Sequence, residues 1–111
     1  MVNSRSKGKR GELMASKELM RLFGCEARRA QQFCGAAGDA DIITSIEGIH
    51  FEVKNVERFN LHSALEQAES DKEYRDLPVV LHKKNRKKWV VVFYLDDWGE
   101  ISERIVKTTE T

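Results

Sequence analysis

Four residues could carry chemistry: Glu12, Asp41, Glu52 and Lys54. Asp41 opens a run rich in β-branched residues, Ile42-Ile43-Thr44-Ser45-Ile46, and Glu52 and Lys54 stand two apart in the alternating stretch Ile49–Lys54. Residues two apart share one face of a strand. A tight turn on Glu47-Gly48 sets Asp41 against Lys54 and Ile43 against Glu52. Asp41, Glu52 and Lys54 then lie on one face, with the two carboxylates a diagonal step apart. Diagonal neighbours have β-carbons ~7–8 Å apart, within reach of a bridging ion. A two- or four-residue loop keeps this register, whereas a three-residue loop separates the faces. One reading is a surface salt bridge between Asp41 and Lys54, worth about 0–1 kcal/mol. The other is a carboxylate site for a hard divalent ion, with Lys54 orienting a water or stabilising charge on a phosphate. Glu12 aligns with the apolar stripe of its helix, and a carboxylate at a packed edge needs a partner. It either complements the helix N-terminus or turns toward Asp41 and Glu52, giving three carboxylates for one or two ions.

The elements that must position these residues follow from periodicity. Ala15, Leu19, Leu22 and Phe23 form a helical stripe over about Gly11–Phe23, and Gly24 is a stop signal. The stretch Cys25–Asp39 is ambiguous and ends in a loop, Gly35–Asp39. Strands are expected over Asp41–Ile46 and Ile49–Lys54. Phe51 and Val53 point to the core, leaving the charged face not buried beneath a helix by default. Leu61 to about Tyr74 reads as a helix with Asn60 as N-cap. Pro78 starts a strand through His82, Lys83–Lys88 form a basic turn, and Trp89–Leu95 reads as a strand buried on both faces. Asp96 or Asp97 could cap a last helix carrying Trp98, Ile101 and Ile105. The order is that of one α/β domain over residues 1–111, with residues 1–6 flexible.

Composition narrows the function classes. The 111 residues are 41% hydrophobic and 33% charged, which suits one small folded domain and argues against long-range disorder. No apolar run approaches the roughly 18 residues of a membrane span, and no apolar stretch follows Met1–Lys7 as a secretory signal requires. The cysteines, Cys25 and Cys34, are too few for a disulfide scaffold. The isolated histidines His50, His62 and His82 make zinc a poor fit, so both thiols are expected to be reduced and the location cytoplasmic. The net charge of +1 hides an uneven distribution. Residues 1–35 carry eight Lys/Arg against three Asp/Glu, residues 36–82 four against ten, and residues 83–111 seven against five. Basic flanks suit a polyanion and an acidic centre suits a cation.

Asp41 followed by Glu52-Val53-Lys54 resembles the D…(D/E)-x-K signature of the PD-(D/E)xK nuclease superfamily. The start Lys7-Gly8-Lys9-Arg10-Gly11-Glu12, with Arg28-Arg29 and Asp41-Ile42-Ile43, is similar to the archaeal-type Holliday junction resolvases within it. The likeness spans roughly residues 7–95, although Ala40 stands where the superfamily has Pro and Asp39 adds a second carboxylate beside Asp41. It implies a restriction-endonuclease-like core, a mixed central β-sheet flanked by helices. It implies a Mg²⁺- or Mn²⁺-dependent homodimer acting on branched DNA in recombination and repair, cutting four-way junctions to 5′-phosphate and 3′-hydroxyl ends. Carried onto this chain, it makes Glu12, Asp41, Glu52 and the backbone carbonyl of Val53 metal ligands, with Lys54 catalytic. Lys7, Lys9, Arg10, Arg28 and Arg29 fit phosphate contacts, and Lys83–Lys88 either grips another arm of DNA or protects an exposed edge. Gln67 either borders the site or faces solvent, and His50 is left as structural. Another nuclease of the same superfamily, of repair, nicking or restriction type, and a non-catalytic DNA-binding module remain alternatives.

Overall fold

The computed structural model of the chain describes residues 4–30 and 40–110. Cys34, Asp39 and the expected loop Gly35–Asp39 lie outside the described residues, as do Met1–Asn3. Among the described residues three α-helices, α1 (Ser4–Phe23), α2 (Leu61–Asp71) and α3 (Trp98–Thr109), accompany five strands. The strands are β1 (Ala27–Arg29), β2 (Ile42–Thr44), β3 (Ile49–Asn55), β4 (Leu77–Lys83) and β5 (Val90–Val92). They form one sheet in the order β1-β2-β3-β4-β5. Only β3 and β4 run parallel; the other pairs are antiparallel. The mixed sheet with flanking helices is the expected α/β architecture.

A parallel pair needs a crossover, and α2 supplies it. Asn60 Oδ1 accepts the Ser63 N–H at 3.0 Å, the expected cap at the helix start. Ala64, Leu65 and Ala68 of α2 pack on Val80 on one face of the sheet. On the other face, Ala15 and Leu19 of α1 and Ile101 of α3 close over Phe51, Val53, Val79 and Leu81. β3 is therefore buried on both faces through Val53. The charged face expected to lack a covering helix lies on the α2 side of the sheet, and Glu52 is buried there.

Four expectations shift. α1 begins at Ser4, seven residues before the start expected at about Gly11, because its polar first turns carry no apolar stripe to mark them. β1 falls in the ambiguous stretch, too short at three residues to show an alternation. The strand expected to be buried on both faces is an edge, with Val90 48% and Val91 55% exposed. Trp89 and Phe93 pack toward the α1 and α3 cluster and Val92 and Tyr94 toward the α2 cluster, but as the edge strand among the described residues β5 is covered only in part. Asp97 occupies the N-cap position of α3 without a side-chain capping bond.

Two glycines have clear physical reasons. Gly24 ends α1 with φ +64° and returns its N–H to the Met20 carbonyl. A β-carbon on Gly11 would lie 2.6 Å from Cβ of Asn55, so glycine permits α1 to touch the end of β3 one residue before Glu12. Among the described residues no helix is long and apolar enough to cross a membrane.

Candidate active site

The site is built on the sheet interior where β2 meets β3. Ile42 pairs with Phe51, not with Val53 as a Glu47-Gly48 turn requires. Thr44 Oγ1 bonds the N–H of Ile46 at 3.1 Å, which centres the connection one residue earlier. The register thus moves by two residues, and a shift of two preserves the face. Asp41 and Glu52 still share a face and come closer than the diagonal step expected. Both are buried, at 9% and 6% exposure. Asp41 Oδ2 accepts the Val53 N–H at 2.8 Å, which ties the residue before β2 to the middle of the Glu-x-Lys run.

The electrostatics single out Glu52. Burial pushes its carboxyl above the usual range, and the neighbouring Asp41 pushes in the same direction. His50 opposes that rise, its Nε2 standing 2.7 Å from Glu52 Oε1. His50 is only 1% exposed. It lies two residues from Glu52 on the same face, a relation visible in the alternation of Ile49–Lys54, yet an isolated histidine reads first as structural. Its direct bond to Glu52 makes it the site residue that sequence reasoning passed over.

Lys54 continues the same face toward the exposed end of β3. Its Nζ donates to Gln67 Oε1 at 3.3 Å, so Gln67 on α2 reaches the site although it is itself exposed.

Glu12 feels the charge of Asp41 but is bonded to Arg29. Among the described residues no three His, Cys, Asp or Glu side chains are arranged to hold a metal ion. Glu12 belongs to α1, on the opposite side of the sheet from α2, and its Oε1 accepts from Arg29 Nε at 2.7 Å. Burial and then the charge of Asp41 raise its pKa, while Arg29 lowers it. The pairing also changes the meaning of Arg29. Arg28 pairs with Ile43 and Arg29 with Ile42, so the two arginines point to opposite faces. Arg28 is exposed on the carboxylate side; Arg29 is held by Glu12. Lys9 and Arg10 are exposed near the start of α1, and Lys7 Nζ lies 3.4 Å from Glu57.

Two buried carboxyl groups on one face, with burial and Asp41 raising the pKa of Glu52, form a hard oxygen donor set. Mg²⁺ and Mn²⁺ bind through such oxygens, often one or two carboxylates with waters completing the shell. Asp41 and Glu52 therefore fit a divalent ion, though the set is smaller than the three carboxylates expected.

Neither a curated protein nor a solved structure matches the chain. A family profile does, over residues 3–111. Its description, "Phage putative PDDEXK endonuclease", agrees with Asp41 just before β2 and Glu52-Val53-Lys54 on the adjacent β3 of a mixed sheet. The likeness seen in the sequence thus holds at the level of the superfamily, and the chain belongs to this family of PD-(D/E)xK endonucleases.

Proposed function

We propose that the chain is a divalent-metal-dependent DNA endonuclease that cuts four-way junctions in preference to duplex DNA. The buried Asp41–Glu52 pair, with Lys54 on the same strand face, is the observation that carries the nuclease chemistry. The preference for branched DNA rests on the likeness of the Lys7–Glu12 helix start and the later Asp41 and Glu52-Val53-Lys54 to junction resolvases.

Asp41, Glu52 and the Val53 carbonyl would hold one or two Mg²⁺ or Mn²⁺ ions. When bound, such an ion would lower the pKa of a water and neutralise charge on the scissile phosphate. The chain's own residues divide the remaining work. Val53 N–H fixes one oxygen of Asp41, and His50 fixes one oxygen of Glu52. Lys54 contacts the phosphate or the attacking water, steadied by Gln67. Glu12 acts from outside this pair by holding Arg29, while the charge of Asp41 raises the Glu12 pKa. Water gives up a proton to solvent as its oxygen joins phosphorus, the bond to the 3′ oxygen breaks, and that oxygen takes a proton from solvent, leaving a 5′-phosphate and a 3′-hydroxyl. Arg28, Lys9 and Arg10 contact phosphates on the exposed surface. A four-way junction needs two cuts, so this reading carries a homodimer.

The test is cleavage of a labelled four-way junction and its matched duplex, with Mg²⁺ or EDTA, by wild type and Glu52→Gln. Paired cuts in the junction alone, lost with chelator and with the variant, support the proposal. Equal cutting of both substrates keeps the metal chemistry and removes the junction preference. Binding without cutting under every metal removes the catalytic roles.

A further inference from the structure

The basic turn between β4 and β5 lies beside the site rather than at a remote tip. Asn55 at the end of β3 pairs with Lys83 at the end of β4, three residues beyond the level where Glu52 pairs with Val80. At ~3.3 Å per residue the turn starts about 10 Å from the carboxylates along the strands. Lys84, Arg86, Lys87 and Lys88 are exposed, and none has a carboxylate partner within ion-pair distance among the described residues.

One carboxylate does reach the turn, and it bonds backbone there instead of pairing with a turn cation. Glu57 Oε2 accepts the Asn85 N–H at 2.8 Å and lies 3.4 Å from Lys7 Nζ of α1. The bond from Asn85, and secondarily the nearby Lys7 and Lys84, hold the Glu57 carboxyl below its usual range. Arg86 adopts φ 64°, so the turn has a defined left-handed residue at its tip. Glu57 therefore ties the turn to the start of α1 and leaves four cations facing solvent.

We infer that the turn Lys84–Lys88, positioned by Glu57, is a phosphate-binding clamp that holds DNA flanking the scissile bond. Duplex DNA carries one negative charge per ~1.7 Å of axis, so a backbone that presents a phosphate to Asp41 and Glu52 has further phosphates within reach of the turn. The inference rests on the nuclease reading for its partner, and it adds a surface and a positioning residue outside the catalytic set.

The experiment measures binding of a labelled duplex and a four-way junction in EDTA across a salt series. It compares wild type with the variant Lys84→Gln, Arg86→Asn, Lys87→Gln, Lys88→Gln; asparagine at 86 tolerates the left-handed backbone. Each phosphate contact contributes about 0.9 to the slope of log affinity against log salt. The variant should flatten the slope by about 2–4. A steep wild-type slope that the variant shares overturns this inference alone. A wild type without salt-dependent DNA binding overturns the nuclease reading with it.

Glu57 supplies a second, independent arm. If the turn were only solvated charge, removing a carboxylate would tighten DNA binding. A positioned clamp predicts the opposite for Glu57→Ala, a several-fold loss of affinity. Glu57→Gln, which keeps an oxygen to accept from Asn85, should bind at least as tightly as wild type. Tighter binding by Glu57→Ala overturns the positioning role.

Discussion

Phe51 and Glu52 are consecutive residues of one strand, equally buried, and they face opposite sides of the sheet. On the α1 and α3 side Phe51 joins a cluster of buried apolar residues and stabilises the fold by filling space. On the α2 side the same strand buries His50 and Glu52 against Asp41, where charge repulsion and lost hydration work against folding. One face is built for stability. The other gives up stability to hold groups whose value lies in chemistry, as expected where a site departs from the rules of a packed core.

The contrast is tested first at Glu52. Glu52→Gln should slow cleavage about a thousandfold or more, the scale seen when a group serving developing charge is removed. Its melting temperature should stay level or rise, because the variant removes a carboxyl repelled by Asp41. Time courses of junction cleavage beside thermal melts check both halves. A variant that loses cleavage only by unfolding would erase the distinction between the faces.

Phe51→Ala probes the other face. It should cost about 3–5 kcal/mol of stability, the range for deleting a buried aromatic side chain. Denaturant unfolding measures the loss. Cleavage per folded molecule should hardly change, since Phe51 points away from Asp41 and Glu52.

These two faces were largely legible in the sequence. Alternation in Ile49–Lys54 separates Phe51 and Val53 from Glu52 and Lys54 whatever the partner strand does. The parity of the Asp41 pairing survived an error of two residues, because shifts of two leave faces unchanged. Burial of the charged face was not legible. It depends on β4 lying parallel to β3, with α2 crossing above, and no local pattern specifies that neighbour. The partner of Glu12 was hidden for the same reason. Arg29 belongs to a three-residue strand whose pairing with β2 is a tertiary fact.

His50 refines the contrast from within the polar face. A residue that orients a metal-binding carboxylate costs 10–100-fold in affinity or activity when removed, about the effect expected of His50→Leu. His50→Gln can still present a side-chain nitrogen to Glu52 Oε1 and should recover most of the loss. Calorimetric titration with Mn²⁺ reads affinity apart from turnover. Equal weakening in both variants would make His50 a packing residue and reduce the polar face to Asp41, Glu52 and Lys54.

The smallest effects test whether alternation sorts function from structure in β1 as it does in β3. Arg28 faces the carboxylate side and solvent, whereas Arg29 faces α1 and pairs with Glu12 at 2.7 Å. Arg28→Ala should reduce the salt slope of DNA binding by about one and leave stability within about 0.5 kcal/mol. Arg29→Ala should leave the slope nearly unchanged and cost about 1 kcal/mol or less, because the Arg29 side chain is still 32% exposed and water screens the pair. Salt-series binding and denaturant unfolding on both variants separate the two patterns. If both arginines lower the slope equally, Glu12 releases Arg29 to DNA, and the ion pair belongs to the unbound state. The division of labour between faces would then hold for β3, where both sides are buried, and fail at the edge of the sheet, where a long side chain can reach around it.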